Sequence, residues 1–224
     1  MVNQIGERLV FQNARNAMQR AGVSAEKAVL TPSYLRLEAP LTTSLTTYSF
    51  DVLVNEQTNP NYITSQKLNL QDSILISSIG LFLCNPATSG TNTSSFPLYS
   101  YPNQVAFDGT SDDEAYSIYN GNLQLVVNQR TILTGWDCQR HYCVNQTQQL
   151  QAKATSTPWL NIDQLSGAND GFFPCEPNVV LIGSKKNQLT LNLPKALASV
   201  PASGNARVVL ILRGILAQNS TSVN

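Results

Sequence analysis

From Tyr34 to Ala217 the apolar residues come in short runs closed by Gly, Pro, Asn or Ser, a spacing that favours β-strands over helices. Tyr34–Ala39 alternates, with Leu35 and Leu37 on one face. Leu45–Val54 is rich in Thr and β-branched residues, which suit a pleated surface. Ser73–Cys84 reads as a strong strand or a bent pair, with Gly80 as a bulge. Leu98–Phe107 and Ala115–Tyr119 are weaker, aromatic-rich strands. Asn120-Gly121 is the strongest hairpin turn in the chain, and it leads into a clear strand at Leu123–Leu133. Arg140–Val144 and Gln148–Ala152 are short candidates. Val179–Gly183 and Gln188–Leu193 read as a hairpin turned by Ser184-Lys185-Lys186-Asn187, and Arg207–Ala217 is the last strand.

About nine to eleven short strands without a fixed-period repeat argue for a sandwich or barrel, against a solenoid or propeller. One segment breaks the pattern. Between Asn3 and Ala21, the residues Ile5, Leu9, Ala14, Ala17, Met18 and Ala21 recur at helical spacing, and Gly22 is a natural stop. The expected fold is mainly β: a jelly-roll or Greek-key β-sandwich with an N-terminal helical arm. The expected divisions are an arm over 1–33, the sandwich over 34–217 and a polar tail over 218–224. Long polar connections at 85–96, 108–114 and 155–177 are the expected contact surfaces.

Charge narrows the function. Fourteen Lys and Arg balance fourteen Asp and Glu, and charged residues are only 12 % of the chain, about half the usual share. Asn, Gln, Ser and Thr fill the difference, at roughly 35 %. Zero net charge argues against a whole-chain nucleic-acid binder, and the 42 % hydrophobic content argues against disorder. An amide-rich, neutral surface suits a protein packed against copies of itself. Met1–Arg20 has no apolar h-region, and no apolar run approaches the ~20 residues of a membrane span. Synthesis in a reducing cytoplasm, with free thiols, is the expectation for Cys84, Cys138, Cys143 and Cys175.

Signals of chemistry are scarce. His141 is the single histidine, no Gly-x-Ser-x-Gly elbow accompanies it, and no glycine-rich phosphate loop is present. No enzymatic activity and no cofactor are expected. Cys138, His141, Cys143 and Cys175 have the donor types of a tetrahedral zinc site, but on a strand 138 faces away from 141 and 143, so buried thiols are favoured. Asp108, Asp112, Asp113 and Glu114 crowd oxygen donors into one stretch without the order of an EF-hand, so a solvated acidic loop is favoured over calcium. The arm to Arg36 carries Arg8, Arg15, Arg20, Lys27 and Arg36 against Glu7 and Glu26. A packed surface helix is its bland reading; contact with a genome or inner membrane through Arg8, Arg15 and Arg20 is the functional one. Phe96, Tyr99, Tyr101, Phe107, Tyr116 and Tyr119 fit strand core more readily than a carbohydrate platform.

Three stretches carry a resemblance: Tyr119 to Leu133 (YNGNLQLVVNQRTIL), Trp136 to Gln149, and Leu189-Thr190-Leu191-Asn192-Leu193-Pro194 with Val208–Gly214. In these the chain resembles the small jelly-roll coat proteins of icosahedral tailless bacteriophages, mainly over 119–217. The resemblance implies a major capsid subunit that self-assembles into capsomers and a shell, located in the virion, with other copies and other virion proteins as partners and no catalytic residues. Double jelly-roll coat proteins are generally longer than this chain, which favours a single one. The helix is expected on the inner face and the inserted loops on the outer. A receptor-binding or lectin-like spike, or a minor virion module, using the 96–119 loops is the alternative.

Overall fold

The computed structural model describes residues 2–24, 28–53, 66–86, 97–103, 107, 110–144, 171–201 and 204–220; of residues 2–8 and 110–113 it describes the backbone only. The chain is mainly β. Eight strands form two four-stranded antiparallel sheets: β1 (Val29–Pro40), β2 (Thr47–Asp51), β3 (Ser73–Cys84), β4 (Asn122–Val127), β5 (Arg130–Asp137), β6 (Phe172–Ile182), β7 (Asn187–Asn192) and β8 (Arg207–Gln218). Two helices, α1 (Val2–Arg20) and α2 (Thr110–Tyr119), and a 3-10 turn at Cys138–His141 complete the described elements.

One sheet has the order β1-β8-β3-β6 and the other β2-β7-β4-β5. The pairing follows a rule: β1 pairs with β8, β2 with β7, β3 with β6 and β4 with β5, all antiparallel. This is the pattern of one long folded-over ladder, whose two halves are stitched together by β3–β8 and β4–β7. The sheets enclose one core. Leu35 and Leu37 of β1, Ile74, Ile76 and Leu81 of β3, and Val208 and Leu210 of β8 meet Leu123 of β4 and Leu189 and Leu191 of β7 there. Alternation puts these side chains inward because successive strand residues face opposite ways.

Hydrogen bonds define the two ends of the molecule. At one end Leu41 N–H donates to Ala206 O and Leu193 N–H to Thr46 O, joining the β1–β2 and β7–β8 connections, and Cys143 N–H donates to Ser100 O, joining the segment after β5 to the β3–β4 connection. At the other end Asn128 N–H donates to Lys186 O and Gly183 N–H to Asp72 O, joining the β2–β3, β4–β5 and β6–β7 connections.

Helix α1 lies on the outer face of the β1-β8-β3-β6 sheet. Ala14 and Met18 are buried with Val23, Ala28, Leu75, Ile182 and Ala217. Its end is fixed by Gly22 at φ +84°: Gly22 N–H reaches Gln19 O and Val23 N–H reaches Met18 O, the paired bonds of a Schellman cap. Beyond β8, Asn219 N–H donates to Asp72 Oδ1 and Ser220 Oγ bonds Ser73 Oγ at 2.8 Å, so the chain's own β3 holds the start of the polar tail. No helix among the described residues is long and apolar enough to cross a membrane.

Several local expectations are corrected. Ala115–Tyr119 is helical: Ala115, Ile118 and Tyr119 face the core at i, i+3 and i+4, and this spacing outweighs the β propensity of Tyr and Ile. Asn120-Gly121 therefore links α2 to β4 and turns no hairpin. Leu123–Leu133 is two strands, because Asn128 (φ 47°) and Gln129 (φ 68°) make a two-residue turn with positive φ at both positions. Arg140–Val144 is not a strand; the 3-10 turn occupies its start, capped by Asp137 Oδ1 accepting from Gln139 N–H. β6 and β7 are not a hairpin but belong to different sheets. The β3 bulge is at Ser77, where the register shifts against both neighbours, and not at Gly80. Over Leu98–Phe107 the described residues include only an isolated bridge, Leu83 with Tyr99. Gln148–Ala152 lies outside the described residues.

Candidate functional site

The single histidine is built into the sandwich as a structural group. Trp136, near the end of β5, donates its indole N–H to His141 Nε2 at 2.8 Å. That bond makes Nε2 an acceptor, so Nδ1 carries the proton and donates to Gly171 O at 3.0 Å. Both ring nitrogens are engaged and the residue is fully buried. Burial lowers its pKa to about 4, so it is neutral at physiological pH. Arg140 caps this cluster, its guanidinium 5.1 Å from the Trp136 ring and 5.0 Å from that of Phe173. A histidine held this way has no lone pair left for a metal and no free nitrogen to activate a nucleophile.

The other zinc candidates are separated by role. Cys138 is buried, its thiol pointing at Trp136 O, and burial raises its pKa to about 12. Cys175 is buried on β6, with its thiol toward Pro177 O. Cys143 is half-buried beside Ser100. All four cysteines are free thiols. Among the described residues, no three His, Cys, Asp or Glu side chains come together to hold a metal ion.

Of the acidic stretch, Asp108 lies outside the described residues, and Asp112 and Asp113 sit in the first turn of α2 by their backbone. The structure thus replaces the expected acidic loop, from Thr110 on, with a helix. Glu114 accepts from Ala198 N–H at 3.0 Å and from Lys195 Nζ at 3.2 Å. These bonds hold its carboxyl below the usual range and tie α2 to the β7–β8 connection. Among the aromatics, Tyr99, Phe107 and Tyr119 are buried in the core, whereas Tyr116 is 40 % exposed and shares a hydroxyl contact with Tyr142.

No protein family, curated protein or solved structure matches this chain. The functional reading therefore rests on the residues and their geometry.

Of the candidate arginines, Arg15 and Arg20 are exposed on α1, and the side chain of Arg8 lies outside the described residues. Arg20 borders a groove of about 850 Å³ that runs along the open side of the sandwich, where β5 and β6 are the edge strands. Its floor is apolar, with Val127, Ile132, Leu133, Trp136 and Val179. Its basic groups come from three places in the sequence: Arg20 ends α1, Arg130 begins β5 and Lys185 sits between β6 and β7. Glu176 is the acidic residue lining it. This groove was invisible in the sequence, because nothing local signals that residues 20, 130 and 185 meet.

A second missed feature is a buried charge cluster on the outer face of β1 and β8. Arg36 Nε donates to Glu38 Oε1 at 2.8 Å, and Arg207 Nη1 lies 3.9 Å from Glu38 Oε2. The Glu38 side chain is fully buried. Cys84 lies close enough to feel it: burial first, and Glu38 second, push its thiol up to about 11. Charges at alternate positions of an otherwise apolar strand, Arg36 and Glu38, were the available signal.

Proposed function

We propose that this chain is a structural virion protein: a single jelly-roll capsid subunit, with α1 as an N-terminal arm, that self-assembles into capsomers and an icosahedral shell. The observation that carries the reading is the strand order. Pairing each strand n with strand 9−n, in sheets β1-β8-β3-β6 and β2-β7-β4-β5, supports the reading of two Greek keys wound into a jelly roll. That architecture serves viral capsids, lectins and cupins. A cupin-type site needs several histidines facing inward from strands, and here the single His141 is locked in a 3-10 turn. The neutral, amide-rich composition favours a shell over a lone soluble domain, since copies at close range meet little like-charge repulsion. A fold alone does not fix a function, so the test is direct assembly.

The full chain, purified at a series of concentrations, is examined by light scattering and by electron microscopy of the same samples. Trimers, pentamers, hexamers or closed shells are expected. A chain that stays monomeric at high concentration overturns the reading.

A further inference from the structure

The open side of the sandwich offers an apolar trough with basic groups on its border. Among the described residues that line it, Arg20, Arg130 and Lys185 stand against Glu176, and Lys186 is exposed in the same β6–β7 connection as Lys185. Ile132, which lines the trough with Val127, Leu133, Trp136 and Val179, is 45 % exposed and leaves apolar area open to a partner. An occupant should therefore bring negative charge and an apolar or aromatic anchor together.

Helix α2 combines acidic residues with an exposed tyrosine. In α2, Asp112, Asp113 and Tyr116 are spaced i, i+1 and i+4, so positions 112 and 113 lie about one turn before 116 along the helix. Tyr116 is 40 % exposed. Tyrosine supplies a large contact area with a polar tip and is enriched at protein interfaces. Glu114 is already committed to Lys195 and Ala198, which fastens the helix to the body of the protein.

The two surfaces lie at different ends. Helix α2 belongs to the β3–β4 connection, at the end where Glu114 meets the β7–β8 connection. Arg130 and Lys185 flank the β4–β5 and β6–β7 connections, joined at the other end by Asn128 and Lys186. A contact between unlike patches is heterologous when each copy gives the two patches to different neighbours. It runs head to tail, and it closes into a ring or extends as an array.

We propose that the groove bounded by Arg20, Arg130 and Lys185 receives the start of helix α2, with Asp112, Asp113 and Tyr116, from a second copy of this chain. This rests on the self-assembly reading above and names the complementary surfaces that would carry it. The acidic first turn of α2 meets the basic border, and Tyr116 packs against Ile132 and its neighbours. Charge here sets register and direction, and the apolar floor holds the contact.

The test is a charge swap in the full chain. One variant carries Arg130→Glu and Lys185→Glu, a second carries Asp112→Lys and Asp113→Lys, and a third carries all four. Because lysines at a helix start also oppose the helix dipole, Asp112→Asn with Asp113→Asn serves as a milder fourth. Circular dichroism and thermal melting select the variants that fold as the wild type does. Each reversed pair should raise the concentration needed for assembly about tenfold or more, and the fourfold variant should restore it. If the wild type assembles and a folded reversal assembles equally well, or the fourfold variant stays dispersed, the groove contact is wrong and the capsid reading stands. If the wild type never assembles, both fall.

Discussion

At the scale of single residues, His141 shows how burial turns a potential catalyst into a fixed structural part. The Trp136 indole and the Gly171 carbonyl hold opposite sides of the ring, and burial keeps it neutral. Its folded pKa of about 4 lies below the ordinary 6.5. The unfolded chain therefore binds a proton that the folded chain refuses. The stability this provides is fully present above about pH 6.5 and is lost as pH falls toward 4, on the order of 3 kcal/mol in all. In urea unfolding from pH 7 to 4, wild type should lose that much more than His141→Gln, after the acid response common to both is subtracted. Equal pH slopes in the two proteins would refute the assignment. The sequence marked His141 as unusual because it is the only histidine; it could not show that both nitrogens are spoken for, since Gly171 is thirty residues away.

At the scale of elements, the β4–β5 turn is the clearest case of local sequence misleading. The strong local signal was Asn120-Gly121, yet the chain reverses at Asn128-Gln129, where no glycine is present. Gln129 holds φ 68°, a conformation that a side-chain-bearing residue adopts at a cost of about 1 kcal/mol. Asn128 is better suited, and its Oδ1 also accepts from Lys186 N–H. Gln129→Gly should therefore stabilise the protein and raise Tm by about 1–3 °C, while Asn128 is left in place. A fall in Tm would mean that the Gln129 side chain contributes more than its backbone strain costs. Close packing limits other positions more severely. Gly214 lies where β8 crosses the β3 bulge, and a Cβ there would overlap the Leu75 carbonyl.

At the scale of the whole molecule, the charges are unevenly placed although they sum to zero. The 85–121 segment carries Asp108, Asp112, Asp113 and Glu114 with no Lys or Arg, whereas Arg20, Arg130 and Lys185 border one groove. If assembly couples these two regions, it should weaken with salt, because exposed charges are screened over about 10 Å at 0.1 M ionic strength. Raising sodium chloride from about 0.05 to about 0.5 M should raise the concentration at which particles form, as followed by light scattering. Contacts held by apolar burial alone would hold or strengthen under the same change, which would count against the proposed pairing.

The sequence by itself determined the class of the protein and several of its elements. Strand-length apolar runs marked β3 and β8 to within a residue or so, alternation placed Leu35 and Leu37 inward, and Gly22 ended α1 where a left-handed residue was needed. These features are local, and local sterics and periodicity encode them. Only the tertiary structure decided which strands pair, for β1 joins β8 across nearly the whole chain. It also decided that Ala115–Tyr119 is helical, that β6 and β7 part into different sheets, and that Arg20, Arg130 and Lys185 share one groove. Those outcomes depend on what each segment buries against, and that partner is distant in sequence.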